Sequence, residues 1–94
     1  MSDSTTQRRL GRAKERATTI LVDTGHDIIP SDNSTFCILG VREKEIRMIR
    51  VVVDEITDND IEAVLDFHRR PGICTKEIWC KKLNKRNFEI KEIN

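Results

Sequence analysis

One run, residues 46–53, constrains the fold more than any other, because Ile46, Met48 and Ile49 lead into the unbroken stretch Val51-Val52-Val53. β-branched residues in such a run favour a strand, and a strand apolar on both sides needs cover on both sides. The run therefore predicts a central strand with helices packed on the sheet. A chain of 94 residues has room for one core of this kind, since it buries roughly 60–70% of its unfolded surface. A two-domain enzyme is excluded. Hydrophobic residues make up 37% of the chain and charged residues 35%, a polar balance that still leaves clear apolar runs and so argues against global disorder.

The other elements follow from local pattern. Residues 1–7 read as a polar tail. Leu10, Ala13, Ala17, Ile20 and Leu21 then recur at helical spacing, which predicts a helix over about residues 6–24 with Gly25 at its C-terminal end. Ile28 and Ile29, then Phe36 to Leu39 with Val41, predict two strands on either side of a turn at 30–34. Arg42-Glu43-Lys44-Glu45 is a charged hairpin tip leading into the central strand. Thr57 followed three residues later by Asp60 caps a second helix carrying Ile61, Val64, Leu65 and His68, over about 58–69, with Arg69-Arg70 in its last turn and Pro71-Gly72 as its stop. Period-two alternation around Ile78 and Ile90, across a polar turn at 84–87, predicts a terminal hairpin or two edge strands. The order is α-β-β-β-α-β-β. It describes a single small α/β domain over 8–94, with a mixed central sheet.

No eighteen-residue apolar stretch occurs, and the first residues lack the apolar core of a signal peptide, so the expectation is a cytoplasmic protein. Cys37, Cys74 and Cys80 are odd in number and without ligand spacing, which predicts reduced thiols, no structural zinc and no cofactor. Cys37 reads as a small buried hydrophobe, His68 as a partly buried helix-end residue and His26 as a strand-entry residue. Trp79 and Phe88 read as core or interface aromatics. With four aromatics and no tyrosine, a base-stacking platform has little material.

Seventeen basic and sixteen acidic side chains give a net charge of +1, so bulk charge selects no polyanionic partner. Its distribution is more informative: residues 1–24 carry five basic and three acidic side chains, 25–71 six and ten, and 72–94 six and three. Both ends are basic. Arg8, Arg9, Arg12 and Arg16 lie off the apolar stripe of the first helix, with Arg8, Arg12 and Arg16 at four-residue spacing. These four are the candidate nucleic-acid-binding residues, because a phosphate backbone is attracted to such a ridge.

Gly11 to Ala17, Gly25 to Ile29, Phe36-Cys37-Ile38-Leu39-Gly40 and Lys76-Glu77-Ile78-Trp79, in this order of elements, resemble the PD-(D/E)XK nuclease-like superfamily, which includes Holliday-junction resolvases and restriction-type nucleases. The resemblance covers about residues 8–93 and implies a restriction-endonuclease-like fold. It also implies a metal site made by an aspartate on the second strand and Glu-x-Lys on the third, with a glutamate of the first helix facing it, here Glu15. Cys37 stands where the aspartate belongs. The third strand offers either Arg50 with Val52 or Val51 with Val53 in place of Glu-x-Lys, and hard divalent cations bind neither thiols nor valines. The resemblance thus implies a scaffold with no catalytic residues and no metal ligands. Its expected partners are nucleic acid, DNA ahead of RNA, and a second copy or another protein through a sheet edge. The alternative is an active metal-dependent nuclease whose carboxylates have moved, for which Asp32, Asp54 and Glu55 are available beside Glu15. Glu89-Ile90-Lys91 is a literal Glu-x-Lys, but at the C-terminus, where alternate polar residues face water. A third reading, without the family, is a structural or regulatory interaction module.

Overall fold

A computed structural model describes residues 2–31, 35–67 and 74–93. The elements are α1 (Ser2–Asp23), β1 (Asp27–Pro30), β2 (Ile38–Arg42), β3 (Glu45–Val53), α2 (Asp58–Leu65), β4 (Cys74–Lys81) and β5 (Glu89–Ile93). Their order is the one the sequence predicts. One sheet holds all five strands in the order β1-β2-β3-β4-β5. β3 and β4 are parallel while the other neighbours are antiparallel, so the sheet is mixed and β3 is its middle strand.

Alternation along β3 explains the two-sided cover. Ile49 and Val51 join Ala13, Ala17 and Leu21 of α1, with Ile38 and Trp79, in one buried cluster. Met48 and Val52 pack instead with Val64 of α2, Phe36, Ile78 and Ile93. Successive side chains of a strand point to opposite faces, so α1 covers one face and α2 the other. Burial of these apolar side chains is the main favourable term holding the three layers together.

The helix ends obey local rules. α1 closes with His26 N–H donating to the Leu21 carbonyl and Gly25 N–H to the Val22 carbonyl, both at 3.0 Å. This Schellman pattern needs a left-handed residue, and Gly25 supplies it at φ 86°. At the start of α2, Thr57 and Asp60 form a reciprocal capping box. Its far end is held by Lys76, which is 5% exposed and whose Nζ donates to the Val64 and Phe67 carbonyls at 2.9 and 3.0 Å.

Two details depart from the sequence reading. α1 begins at Ser2, so the segment read as a tail forms its first turns, with Thr5 to Arg8 exposed. α2 is assigned only to Leu65, and His68, Arg69, Arg70, Pro71 and Gly72 lie outside the described residues. Of the two C-terminal alternatives the hairpin is the one formed: β4 and β5 pair antiparallel, with β4 inside the sheet and β5 at its edge. No helix of the described residues is long and apolar enough to cross a membrane.

Candidate functional site

Two clefts adjoin the C-terminal ends of β3 and β4. The first, of about 620 Å³, is lined by Leu10 and Lys14 of α1, Cys37, Arg50 to Glu55, Thr57 and Asp60, among others. It gathers the strand positions at which the nuclease resemblance would place its metal ligands, without Glu15 of α1. Cys37 lies just before β2, its N–H on the Ile49 carbonyl at 3.0 Å and its Sγ 3.6 Å from the same oxygen. Arg50 donates from Nε to Asp60 Oδ1 at 2.9 Å and from Nη1 to the Thr35 carbonyl at 3.0 Å. A guanidinium therefore occupies the β3 position where one alignment expects a carboxylate, and Val52 stands two residues on.

Asp60 joins this cleft to the α2 cap. Its Oδ2 accepts from Thr57 N–H and the Thr57 hydroxyl, both at 2.9 Å. Burial alone would raise the Asp60 carboxyl, but the Thr57 and Arg50 hydrogen bonds outweigh it and hold the group below its ordinary range. Asp60→Ala removes the Asp60 half of the capping box and the Arg50 acceptor together and is expected to cost about 2 kcal/mol. Asp58→Ala, an exposed acid in the same turn, should stay within about 0.5 kcal/mol. Urea denaturation midpoints of the two variants check this difference.

Of the carboxylates available for a relocated metal site, Asp54 and Glu55 line this cleft with Asp60, but they do not form a ligand cluster. Among the described residues, no group of three or more His, Cys, Asp or Glu side chains could hold a metal ion. Glu15 is exposed and does not line the cleft, and Asp32 lies outside the described residues. Asp54 does line it, yet its carboxylate is held by Arg9 in two hydrogen bonds, Nη1 to Oδ2 at 2.9 Å and Nη2 to Oδ1 at 2.5 Å. The Arg9 hydrogen bonds hold the Asp54 carboxyl below its usual range despite desolvation. A strained turn aims this side chain: Asp54 has φ 71°, and Glu55 N–H bonds back to the Val53 carbonyl at 2.9 Å. Glu89, of the terminal Glu-x-Lys, is exposed and pairs with Lys82 at 3.0 Å. His26 is buried, with Nδ1 3.0 Å from the Thr24 hydroxyl.

The second cleft, of about 560 Å³, is basic. Arg9, Arg12 and Arg16 of α1 line one side, and Lys81, Lys82, Leu83 and Asn84, at and beyond the end of β4, line the other. Three of the four arginines picked out in the sequence thus share a cleft, and Arg8 does not line it. Arg9 is paired with Asp54 and Lys82 with Glu89. Among the described residues no ion pair involves Arg12 or Arg16. The contribution of Lys81 to Asn84 went unseen in the sequence, although the basic excess of residues 72–94 was its signal.

Compared with known proteins, the chain matches no family model, and no curated protein or solved structure matches it.

Proposed function

We propose that this chain is a nuclease-like α/β domain that has lost catalysis and acts by binding nucleic acid, DNA ahead of RNA, along the cleft between α1 and the end of β4. The observation that carries this reading is the meeting of Arg12 and Arg16 with Lys81 and Lys82 across one cleft. Cations from two elements facing one concave surface suit a polyanion, which releases condensed counterions as its phosphates are neutralised. The element order and the helices on opposite faces of a mixed sheet support a restriction-endonuclease-like scaffold. Cys37, Arg50 and Val52 in the first cleft support the loss of the metal chemistry, since hydrolysis of a phosphodiester needs charge neutralised at the attacking and leaving oxygens.

Asp54 separates this reading from an active nuclease with relocated ligands. In the binding reading its carboxylate competes with phosphate for Arg9, so Asp54→Asn should tighten duplex binding severalfold. In the relocated-site reading the same change removes a metal ligand. Fluorescence anisotropy at low salt, with gels run after incubation with Mg²⁺ or Mn²⁺, tests both. The expected result is micromolar binding, no cleavage, and a tighter complex for Asp54→Asn. Metal-dependent cutting that disappears in Asp54→Asn, with the far-ultraviolet circular dichroism spectrum unchanged, contradicts the proposal.

A further inference from the structure

Leu83 is the most exposed of the large apolar side chains among the described residues, at 66%. A single exposed leucine is ordinary on a protein surface. Its surroundings distinguish this one. It lines the basic cleft with Arg12 and Arg16, while Lys82, Lys85 and Arg86 line an adjoining cleft of about 390 Å³. Lys82, the neighbour of Leu83 in the chain, is common to both clefts and to their two groups of cations. Asp54 and Glu89 engage only Arg9 and Lys82 of these groups.

The turn that carries Leu83 is held from several directions. Lys85 N–H bonds to the Lys82 carbonyl at 3.3 Å, and Asn84 takes the left-handed conformation at φ 66°, which asparagine tolerates better than most residues. Beneath the turn, Lys81 Nζ donates to the Lys82 carbonyl at 3.1 Å and to the Lys85 carbonyl. Lys81 is thereby a brace, and Leu83 is presented on a tight tip.

Resting on the nucleic-acid reading above, we infer that Leu83 is a wedge: with Arg12 and Arg16 on phosphates to one side and Lys85 and Arg86 on phosphates to the other, its side chain presses against a base step of a duplex. Apolar side chains inserted from such positions partly unstack the step and bend the duplex. An anionic membrane surface would also take cations around a leucine. The concave placement of Arg12 and Arg16 and the presence of one apolar side chain in place of a broad apolar face favour a duplex over a bilayer.

The test turns on a difference of sign. If the site is purely electrostatic, Leu83→Lys adds a cation and tightens binding. As a wedge, Leu83→Lys and Leu83→Ala both weaken binding, Leu83→Ala by about tenfold for the loss of one buried leucine. The measurement uses the full chain and duplexes carrying 2-aminopurine at successive positions, read by fluorescence, with affinity taken from anisotropy and folding checked by circular dichroism. The expected result is a fluorescence rise at one step with the unmodified protein. Both Leu83 variants should abolish the rise, and Leu83→Ala should leave the salt dependence of affinity unchanged. A duplex complex that is sensitive to Arg12→Gln with Arg16→Gln but equal or tighter for Leu83→Lys overturns the wedge and leaves the binding reading standing. Absence of any duplex binding, with or without Leu83-dependent binding to phosphatidylserine vesicles, overturns both.

Discussion

Glu77→Leu is expected to destabilise the domain by about 3 kcal/mol and to lower its melting temperature by roughly 12–24 °C. Glu77 is 5% exposed in the interior strand β4. Arg47 of β3 grips its carboxylate from Nε at 2.8 Å and Nη2 at 2.6 Å. The Thr75 hydroxyl donates to it at 2.8 Å and Trp79 Nε1 at 3.1 Å, and the Arg47 guanidinium lies 5.3 Å from the centre of the Trp79 ring. Leucine replaces the carboxylate but strands the charge of Arg47 and the indole N–H, and unpaired buried donors cost more than a satisfied pair contributes. A domain of this size has about 5–14 kcal/mol in total, so the loss is a large share of it. Arg47→Met combined with Glu77→Leu should recover most of the stability, because an apolar pair of similar volume leaves no stranded charge. Thermal melts by circular dichroism decide this. A single variant as mild as a surface substitution would show the cluster to be energetically idle.

The same cluster sets an acid limit. Burial would raise the Glu77 carboxyl, but hydrogen bonds from Arg47, Trp79 and Thr75 overcome it and hold the group below its ordinary range. The unfolded chain, with a glutamate near about 4.3, then binds the proton more readily than the folded one. The stabilisation is complete above that value and is lost as pH falls through the depressed folded value. Asp60, depressed for a similar reason, adds to the loss in the same direction.

Much of the fold was legible because its signals are local. The apolar stretch at Val51 to Val53 demanded cover on both faces, Gly25 marked the end of α1, and Thr57 with Asp60 marked the start of α2. What escaped depends on partners remote in the chain. Lys76 and Glu77 are both buried in β4, since the Val64 and Phe67 carbonyls accept from one and Arg47, thirty residues earlier, neutralises the other. The first turns of α1 carry no apolar stripe, so periodicity could not find them. The basic ridge was read at strict four-residue spacing, but four residues overshoot a helical turn by about 40° each time, whereas spacings of three and four alternate about one line. Arg9, Arg12 and Arg16 consequently share the cleft, without Arg8. That Lys81 to Asn84 would complete it depended on a tertiary contact no local pattern contains.

Arg12 and Arg16 are the most direct handle on the central claim, that this domain acts by holding a phosphate backbone in the basic cleft. Both are exposed, and glutamine has nearly the helix propensity of arginine, so Arg12→Gln with Arg16→Gln should leave stability level. Each phosphate contact contributes about 0.9 to the slope of log affinity against log salt, and loss of two should flatten that slope by about two and weaken low-salt binding on the order of tenfold or more. Arg8→Gln removes one charge from the same helix, outside the cleft, and serves as the control. The deciding measurement is anisotropy with one duplex across a salt series for the three proteins. The account predicts a steep slope for the unmodified chain, an equally steep one for Arg8→Gln, and a slope flatter by about two for the double variant. Equal slopes for all three, or no binding at low salt, would contradict it and turn attention to the β5 edge as a protein contact.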